Sequence, residues 1–312
     1  MKAIVIDNYG GKDQLKEREV EKPIINENQA LVEIHATSIN PIDWKLREGY
    51  LKDMLPWEFP IILGWDAAGV IVEVGKNVKH YKVGDRVFAR PATTRQGTYA
   101  EFVPVEADLL AHMPESMSFE QGAAIPLTGL TAYQCLVGFA EVKKGDKVLV
   151  HAGAGGVGSM AIQIANSIGA YVATTASDKN DELVKSLGAN RVINYSEEDF
   201  SELLEDFDAV LDTMGGDVLD KSFKVLKKGG KLISIAGQPS AEKAEQYGVK
   251  ASGFWLKPNG EQLQMLAHLF VSGELKPTIG HVFEFTEQGL KDAHELSESH
   301  HARGKIVIKV KS

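Results

Sequence analysis

Alternating apolar and polar residues dominate the chain up to about residue 120. Residues 30–35 (ALVEIH) alternate, residues 67–74 (AAGVIVEV) form an apolar run that ends at Gly75, and residues 85–89 (DRVFA) follow a turn. Strands that succeed one another without a long helical period are typical of a barrel-like antiparallel fold. The pattern therefore predicts a β domain over residues 1–120.

After Ser118 the pattern of apolar residues is no longer that of strands alone, and it indicates strands and helices in alternation. Residues 119–137 indicate helices, and from Asp146 onward short apolar strands alternate with helical segments. The predicted strands are 147–152, 170–176, 191–194, 208–212, 230–236 and 249–256, and the predicted helices are 159–168 and 181–187. This alternation predicts a doubly wound parallel sheet with helices on both faces, over residues 121–260.

The last segment, 261–312, again has a different pattern. Residues 261–271 indicate a helix, and residues 304–310 (GKIVIKV) indicate a strand. We expect this tail to return to the first domain, which leaves the α/β domain inserted within it.

Composition narrows the functional classes. The 312 residues include 44% hydrophobic and 25% charged residues, and the net charge of −9 disfavours a nucleic-acid partner. No run reaches the roughly 18–20 apolar residues of a membrane span, and no apolar leader follows Met1. Cys135 is the only cysteine, so an internal disulfide is excluded. We expect a cytoplasmic protein.

A glycine motif follows the first strand of the α/β domain. Gly153, Gly155 and Gly158 satisfy G-x-G-x-x-G, with a strand before them and a helix expected from Ser159. The first glycine permits a tight turn, the second lets a pyrophosphate approach the backbone, and the third lets the helix pack on the strand. The context of strand, helix and further βα units favours a dinucleotide site over a plain glycine-rich turn.

The end of the second strand distinguishes the two nicotinamide cofactors. NAD-binding proteins place an acid there for the ribose 2′-hydroxyl, and that acid repels a 2′-phosphate. Here Ala176 takes that position, with Ser177 and Lys179 as donors to a phosphate, whereas Asp178 would be the acid if the register were two residues longer. The sequence favours NADPH.

Several motifs together resemble the zinc-free quinone oxidoreductase branch of the medium-chain dehydrogenase/reductase superfamily. They occur in the family's order along nearly the whole chain: SINPID at 38–43, GDRV at 84–87, GTYAE at 97–101, AAIPLTGLTA at 123–132, HAGAGGVGSMAIQIA at 151–165, LGANRVINY at 187–195 and GKIV at 304–307. The resemblance implies a GroES-like, partly open β-barrel catalytic domain, a Rossmann domain inserted in it, an active site in the cleft between them, and a homodimer.

The resemblance also implies roles for individual residues. Thr128 is expected near the nicotinamide, and Ser177 and Tyr195 near the 2′-phosphate. The pyrophosphate contacts are expected from Gly155, Gly156 and Val157, and the nicotinamide pocket from Ala236, Gly237 and Phe254.

Departures from the zinc-dependent relatives change the expected chemistry. Those relatives carry cysteine where this chain has Ser38, and Gly-His-Glu where it has Gly64-Trp65-Asp66. Without zinc to polarise an oxygen, simple alcohols are poor substrates, whereas an electron-poor quinone or enone needs less assistance. We therefore expect zinc-independent reduction of a small quinone or enone.

Candidates for the catalytic groups are Asn40, Asp43, Tyr50 and Thr128. Asn40 and Asp43 have a capping or turn role as their alternative. Tyr50 lies near the position where enoyl reductases of this superfamily keep a proton-donating tyrosine, and its alternative is an aromatic at the rim of the cleft. An enoyl-thioester reductase, a non-catalytic NADPH-binding sensor and a methyltransferase are the other functions considered, although the last leaves the β domain unexplained.

Gly155→Asp is expected to abolish cofactor binding, because its carboxylate would occupy the place of the pyrophosphate. Fluorescence titration with NADPH and NADH measures this, and the unaltered chain should bind NADPH more tightly. Equal or tighter binding of NADH would contradict the assignment.

Overall fold

The structure, a computed structural model, describes residues 1–311. It divides into two compact units. Unit 1 comprises Met1–Leu127, Pro258–Val271 and the chain from Pro277 onward, and unit 2 comprises Thr128–Lys257 and Ser272–Lys276. The first division falls after residue 127 rather than 120, because the helix of residues 119–124 packs on the sheet of unit 1.

The strands have the following bounds: β1 Lys2–Ile6, β2 Lys16–Glu19, β3 Gln29–Ile39, β4 Ile61–Ile62, β5 Ala67–Val74, β6 Arg86–Ala89, β7 Phe102–Glu106, β8 Leu110–His112, β9 Lys147–Val150, β10 Tyr171–Ala176, β11 Arg191–Asn194, β12 Phe207–Asp212, β13 Leu226–Ser234, β14 Lys250–Gly253, β15 Ile279–Glu284 and β16 Lys305–Lys309.

The α-helices are α1 Pro41–Arg47, α2 Phe119–Ala124, α3 Pro126–Tyr133, α4 Gly156–Ile168, α5 Asp181–Ser186, α6 Phe200–Leu203, α7 Gly216–Ser222, α8 Ala241–Tyr247, α9 Gly260–Val271 and α10 Glu287–Glu298. A π-helical segment, Gln134–Phe139, continues α3. Within residues 1–311, no helix combines the length and apolarity required to span a bilayer.

Unit 1 is built on the long strand β3. It pairs antiparallel with β5, β7 and β16, within a sheet ordered β15-β16-β3-β5-β6-β8. Register shifts along the β3–β5 ladder bend the sheet, as bulges do in partly open barrels. The pairing of β16 with β3 brings the tail back to the first domain, as the sequence predicted.

Unit 2 contains six parallel strands in the order β11-β10-β9-β12-β13-β14. The order reverses between β9 and β12, so the helices cover both faces and a crevice opens at the carboxyl ends of these strands. The Rossmann sheet inserted in a GroES-like domain is thereby confirmed.

Several boundaries differ from the sequence prediction. The helical stretch 119–137 is divided, because Pro126 has no N–H with which to continue α2. The helix expected from Ser159 begins at Gly156, since Gly155 already acts as its N-cap. Strand β13 begins at Leu226 rather than Gly230, and the sequence analysis did not identify β15 or α10.

Candidate functional site

The glycine turn of unit 2 connects β9 to α4. A Cβ atom on Gly153 would lie 2.1 Å from the Oγ1 atom of Thr174, and one on Gly158 would lie 2.2 Å from the carbonyl oxygen of Ala152. Packing against the sheet therefore requires glycine at both positions. At Gly155 a Cβ atom would meet a single atom within 4 Å, the Ala152 carbonyl oxygen at 3.3 Å, so the contact is close on that side but no other atom fills the space beside it.

The first turn of α4 has N–H groups that can bind an anion. Gly156, Val157 and Gly158 are its first residues, and the N-cap, Gly155, has no side chain to accept from them. Free N–H groups and the positive end of the helix dipole suit a pyrophosphate. These residues fit a dinucleotide in the way that the sequence predicted.

The ends of β10 and β11 lie side by side, since Ala176 pairs with Asn194. Ala176, not Asp178, ends β10, so the strand ends without a carboxylate. The Asp178 carboxylate accepts a hydrogen bond from Asn194 Nδ2 at 2.8 Å. Ser177 and Tyr195 follow the two strand ends. Lys179 and Tyr195 are exposed, Tyr195 by 63%, and available to a phosphate.

A cavity of about 380 Å³ lies at the ends of β13 and β14 in unit 2. Two residues expected to contact the nicotinamide, Gly237 and Phe254, line it, whereas Ala236 does not. The complete lining is Ser234, Ile235, Gly237, Gln238, Gly253, Phe254 and Trp255. The cavity is large enough for a nicotinamide ring.

In unit 1 a buried carboxylate, that of Asp66, accepts hydrogen bonds from four residues. Its Oδ2 atom accepts from Ser38 Oγ at 2.6 Å, Asn40 Nδ2 at 2.7 Å and Lys305 Nζ at 3.3 Å. Its Oδ1 atom accepts from the Leu127 N–H at 2.7 Å. Both carboxylate oxygens are therefore satisfied within the unit.

Lys305 opens β16 and is buried. Its ammonium group donates to the Ile39 carbonyl at 2.9 Å and to Asn40 Oδ1 at 2.6 Å, in addition to Asp66. Burial lowers the pKa of Lys305, while the charge of Asp66 acts in the opposite direction. The sequence analysis missed this lysine and the role of Asp66; the signal for Lys305 was its place in the GKIV motif.

The residues at the zinc position of the related dehydrogenases do not fit a metal ion. Ser38 donates its hydroxyl hydrogen to Asp66, and Lys305 already neutralises that carboxylate. Trp65 is fully buried in the hydrophobic core of unit 1. Among residues 1–311, no group of three or more His, Cys, Asp or Glu side chains is placed to hold a metal.

Asp43 belongs to a second buried network, at the start of α1. Its Oδ2 atom accepts the Asn40 N–H at 2.8 Å, which completes a capping box, and the Tyr99 hydroxyl at 2.7 Å. The Tyr99 oxygen lies 3.1 Å from His294 Nε2, and Arg47 Nη1 lies 3.0 Å from His294 Nδ1. The structure thus gives Asn40 and Asp43 structural partners, which corresponds to their alternative reading.

Burial controls the charges of this network. It raises the pKa of Asp43 to about 7 and, together with the charge of Arg47, lowers the pKa of His294 to about 3. His294 is therefore neutral. Since Arg47 can only donate, His294 Nδ1 accepts from it and Nε2–H faces the Tyr99 oxygen.

The two remaining catalytic candidates lie in different units. Tyr50 follows α1 in unit 1, its side chain is 71% exposed, and its ring meets that of Trp44 edge-on at 6.3 Å. Thr128 lies in α3 and is buried in unit 2.

Two family models match the chain. "Alcohol dehydrogenase GroES-like domain" matches residues 26–115, and "Zinc-binding dehydrogenase" matches residues 187–308. The first range lies in unit 1, and the second includes the last strands of the Rossmann sheet and most of the tail.

Individual proteins match over nearly the full length. The chain is 38% identical to an NADPH-dependent alkenal/one oxidoreductase of Arabidopsis thaliana, over 99% of this chain and 79% of that protein. A quinone oxidoreductase from Coxiella burnetii superimposes with a TM-score of 0.93 at 40% identity, covering 100% and 99% of the two chains. An Escherichia coli quinone oxidoreductase complexed with NADPH gives a TM-score of 0.88 at 30% identity, over 99% and 100%.

Asp43→Asn is expected to remove one pH dependence of stability. The folded carboxyl group holds its proton up to about pH 7, whereas its ordinary pKa is 3.8. Stability from this group is therefore complete below pH 4 and is lost as the pH rises to 7. Asparagine cannot ionise, so relative to the unaltered chain the variant should gain roughly 2–3 kcal/mol in free energy of unfolding between pH 4.5 and 8.

Urea denaturation of both proteins across this range measures the difference. His294 is present in both, so its titration cancels. Parallel pH profiles would show that Asp43 does not titrate in this window.

Proposed function

The chain belongs to the quinone oxidoreductase branch of the medium-chain dehydrogenase/reductase superfamily, and we propose that it reduces a small enone or quinone with NADPH, without a metal ion. Two observations together support this proposal. Unit 2 has the glycine turn and helix start that fit a dinucleotide, and in unit 1 Asp66 and Lys305 form an ion pair at the position where a metal would be bound. The alkenal/one and quinone oxidoreductases among the relatives support the substrate class.

NADPH supplies a hydride when bound. With an enone as acceptor, this hydride would be delivered to the carbon β to the carbonyl group, and a proton would be required at the α carbon. Such an acceptor already stabilises the developing charge, so the reaction does not require a Lewis acid. The protein supplies orientation and hydrogen bonds.

The residues of unit 2 account for the choice of NADPH. The first turn of α4 offers N–H groups to the pyrophosphate, and Ser177, Lys179 and Tyr195, which follow the ends of β10 and β11, would bind the 2′-phosphate. Ala176 leaves room there, and the Asp178 carboxylate already accepts from Asn194. An enoyl-thioester reductase would use the same cofactor site, so only the acceptor distinguishes that alternative.

The side chains at the metal position support zinc independence. A catalytic zinc requires three protein ligands that converge on one point. Ser38 and Asp66 are hydrogen-bonded to each other, and Trp65 offers no ligand atom. If Asp66 bound a metal ion instead of Lys305, the buried ammonium group of Lys305 would lose its counter-ion.

A homodimer is proposed through the edge of the Rossmann sheet. Within residues 1–311, β14 pairs with β13 alone, so its outer edge has backbone groups that a second strand can pair with. Trp255, just beyond β14, is 48% exposed. Two copies related by a two-fold axis would join their sheets and cover these groups.

We also propose that the protein works in a reducing compartment such as the cytoplasm. Its one cysteine is buried, and burial raises the pKa of the Cys135 thiol, so neither a disulfide nor a reactive thiolate is available. Cell fractionation tests the location, and recovery in a secreted fraction would contradict it.

Turnover of enones and quinones is expected to persist in a chelator. NADPH oxidation is followed with quinones, enones, enoyl thioesters and primary alcohols, with and without EDTA, and metal content is measured in parallel. Quinones or enones should be reduced at equal rates in both conditions, with less than 0.1 zinc per chain as a rough limit. Gly155→Asp serves as the inactive control.

Each of the other outcomes would contradict one part of the proposal: the substrate class, metal independence or catalysis itself. Turnover of alcohols with inert quinones and enones would overturn the substrate class, and loss of activity with loss of one zinc would overturn metal independence. Binding of NADPH without turnover of any acceptor would favour a sensor.

In the same assay Tyr50→Phe should lower kcat on enones about 100-fold if Tyr50 donates the proton, and should have little effect if Tyr50 only borders the site.

Light scattering at micromolar concentration is expected to give twice the 34.0 kDa chain mass. The reason is the unpaired edge of β14, which a soluble monomer would leave open. A single 34.0 kDa species over this range would contradict the dimer.

A further inference from the structure

A buried carboxylate anchors the loop that follows β12. Asp212 is the last residue of that strand and is fully buried. Its Oδ1 atom accepts the Met214 N–H at 3.0 Å and the Gly215 N–H at 3.1 Å. Its Oδ2 atom lies 3.1 Å from the same Gly215 N–H. The carboxylate therefore holds the turn in place through its backbone.

Ser234, at the end of the neighbouring strand β13, extends this anchor to a second loop. Its hydroxyl group donates to Asp212 Oδ2 at 2.6 Å and accepts the N–H groups of Ala236 at 3.2 Å and Gly237 at 3.1 Å. The donor and acceptor roles are unambiguous, because a carboxylate only accepts and an N–H only donates. One hydroxyl thus connects both loops.

The loop after β13 borders the cavity at the ends of β13 and β14. Ser234 and Gly237 line the cavity, and so does Phe254, whose N–H donates to the Ser234 carbonyl at 2.8 Å. A Cβ atom on Gly215 would lie 3.3 Å from the Cβ atom of Ala236, so the two loops also touch. The shape of this wall therefore depends on the Asp212–Ser234 hydrogen bond.

We propose that Asp212 and Ser234 are positioning residues for the nicotinamide end of NADPH. The proposal rests on the proposed function in taking NADPH as the cofactor, and on this cavity as the place of its nicotinamide. Without the hydroxyl, the loop of residues 235–238 loses its backbone anchor and must be ordered when the cofactor binds, which weakens binding. A displaced ring also lowers the rate of hydride transfer.

Ser234→Ala tests the proposal by comparing two ligands. NADPH contains the nicotinamide, whereas 2′,5′-ADP carries only the adenosine end with its 2′-phosphate. The variant should raise the Kd of NADPH about 10-fold, the usual effect of one lost buried hydrogen bond, and leave the Kd of 2′,5′-ADP unchanged. Asp212→Asn, a variant of the same size, should have the same selective effect.

Ser222→Ala is the matched control. Ser222 is as buried as Ser234 and also lies in unit 2, but its hydroxyl group bonds His151 Nε2 at 2.9 Å and the Val218 carbonyl at 2.7 Å and makes no hydrogen bond to the backbone of either loop. This variant loses a buried hydroxyl of the same kind, and we expect the Kd of both ligands to stay as in the unaltered chain. Thermal unfolding of all variants reports their stability separately.

The comparison separates positioning from general destabilisation. Equal weakening of NADPH and 2′,5′-ADP in Ser234→Ala, or no change in either, would overturn the proposal. Selective weakening of NADPH in Ser222→Ala as well would also overturn it. Because binding is measured without an acceptor, an unaltered chain that binds NADPH but reduces no enone would refute the proposed function and leave this inference in place.

Discussion

The buried pair of Asp66 and Lys305 connects the two ends of unit 1. Lys305 opens the last strand, Asp66 precedes β5, and the whole Rossmann unit lies between them in sequence. Removing one partner would leave an uncompensated charge in the core, which costs about 3–5 kcal/mol. The return of β16 to β3 therefore keeps both buried charges paired, and Ser38, Asn40 and Leu127 donate to the same carboxylate.

This pair also supports the proposed metal independence, because Lys305 supplies the positive charge beside Asp66. A cation on Asp66 is supplied by the chain itself, with its hydrogen bonds directed at Asn40 and Ile39. A lysine ammonium, however, cannot accept an oxygen lone pair as zinc does. The proposed metal-free reaction would therefore depend on an acceptor that is already electron-poor, and the relatives include alkenal/one and quinone oxidoreductases.

Unit 2 uses side-chain hydrogen bonds to hold the loops at the carboxyl edge of its sheet. Thr175 Oγ1 holds the Ala152 N–H before the glycine turn, Thr213 Oγ1 donates to the His151 carbonyl, and Asp212 with Ser234 holds the loops after β12 and β13. Buried polar side chains at these positions keep the ligand-binding loops ordered without covering the backbone groups that face the crevice.

The sequence by itself determined the fold class, the glycine turn and the return of the tail, because each depends on local patterns: the period of apolar residues, the glycine spacing and the order of motifs. It also indicated Ala176 and Ser177 correctly as the end of the second strand, since the strand pattern stops there. Only the tertiary structure decided that Asn40 and the Oδ2 atom of Asp43 are held by internal hydrogen bonds and that Lys305 neutralises Asp66. These contacts join residues as far apart as Asn40 and Lys305. No local pattern reveals them, because they arise from strand pairing and from the cost of burying an unpaired charge.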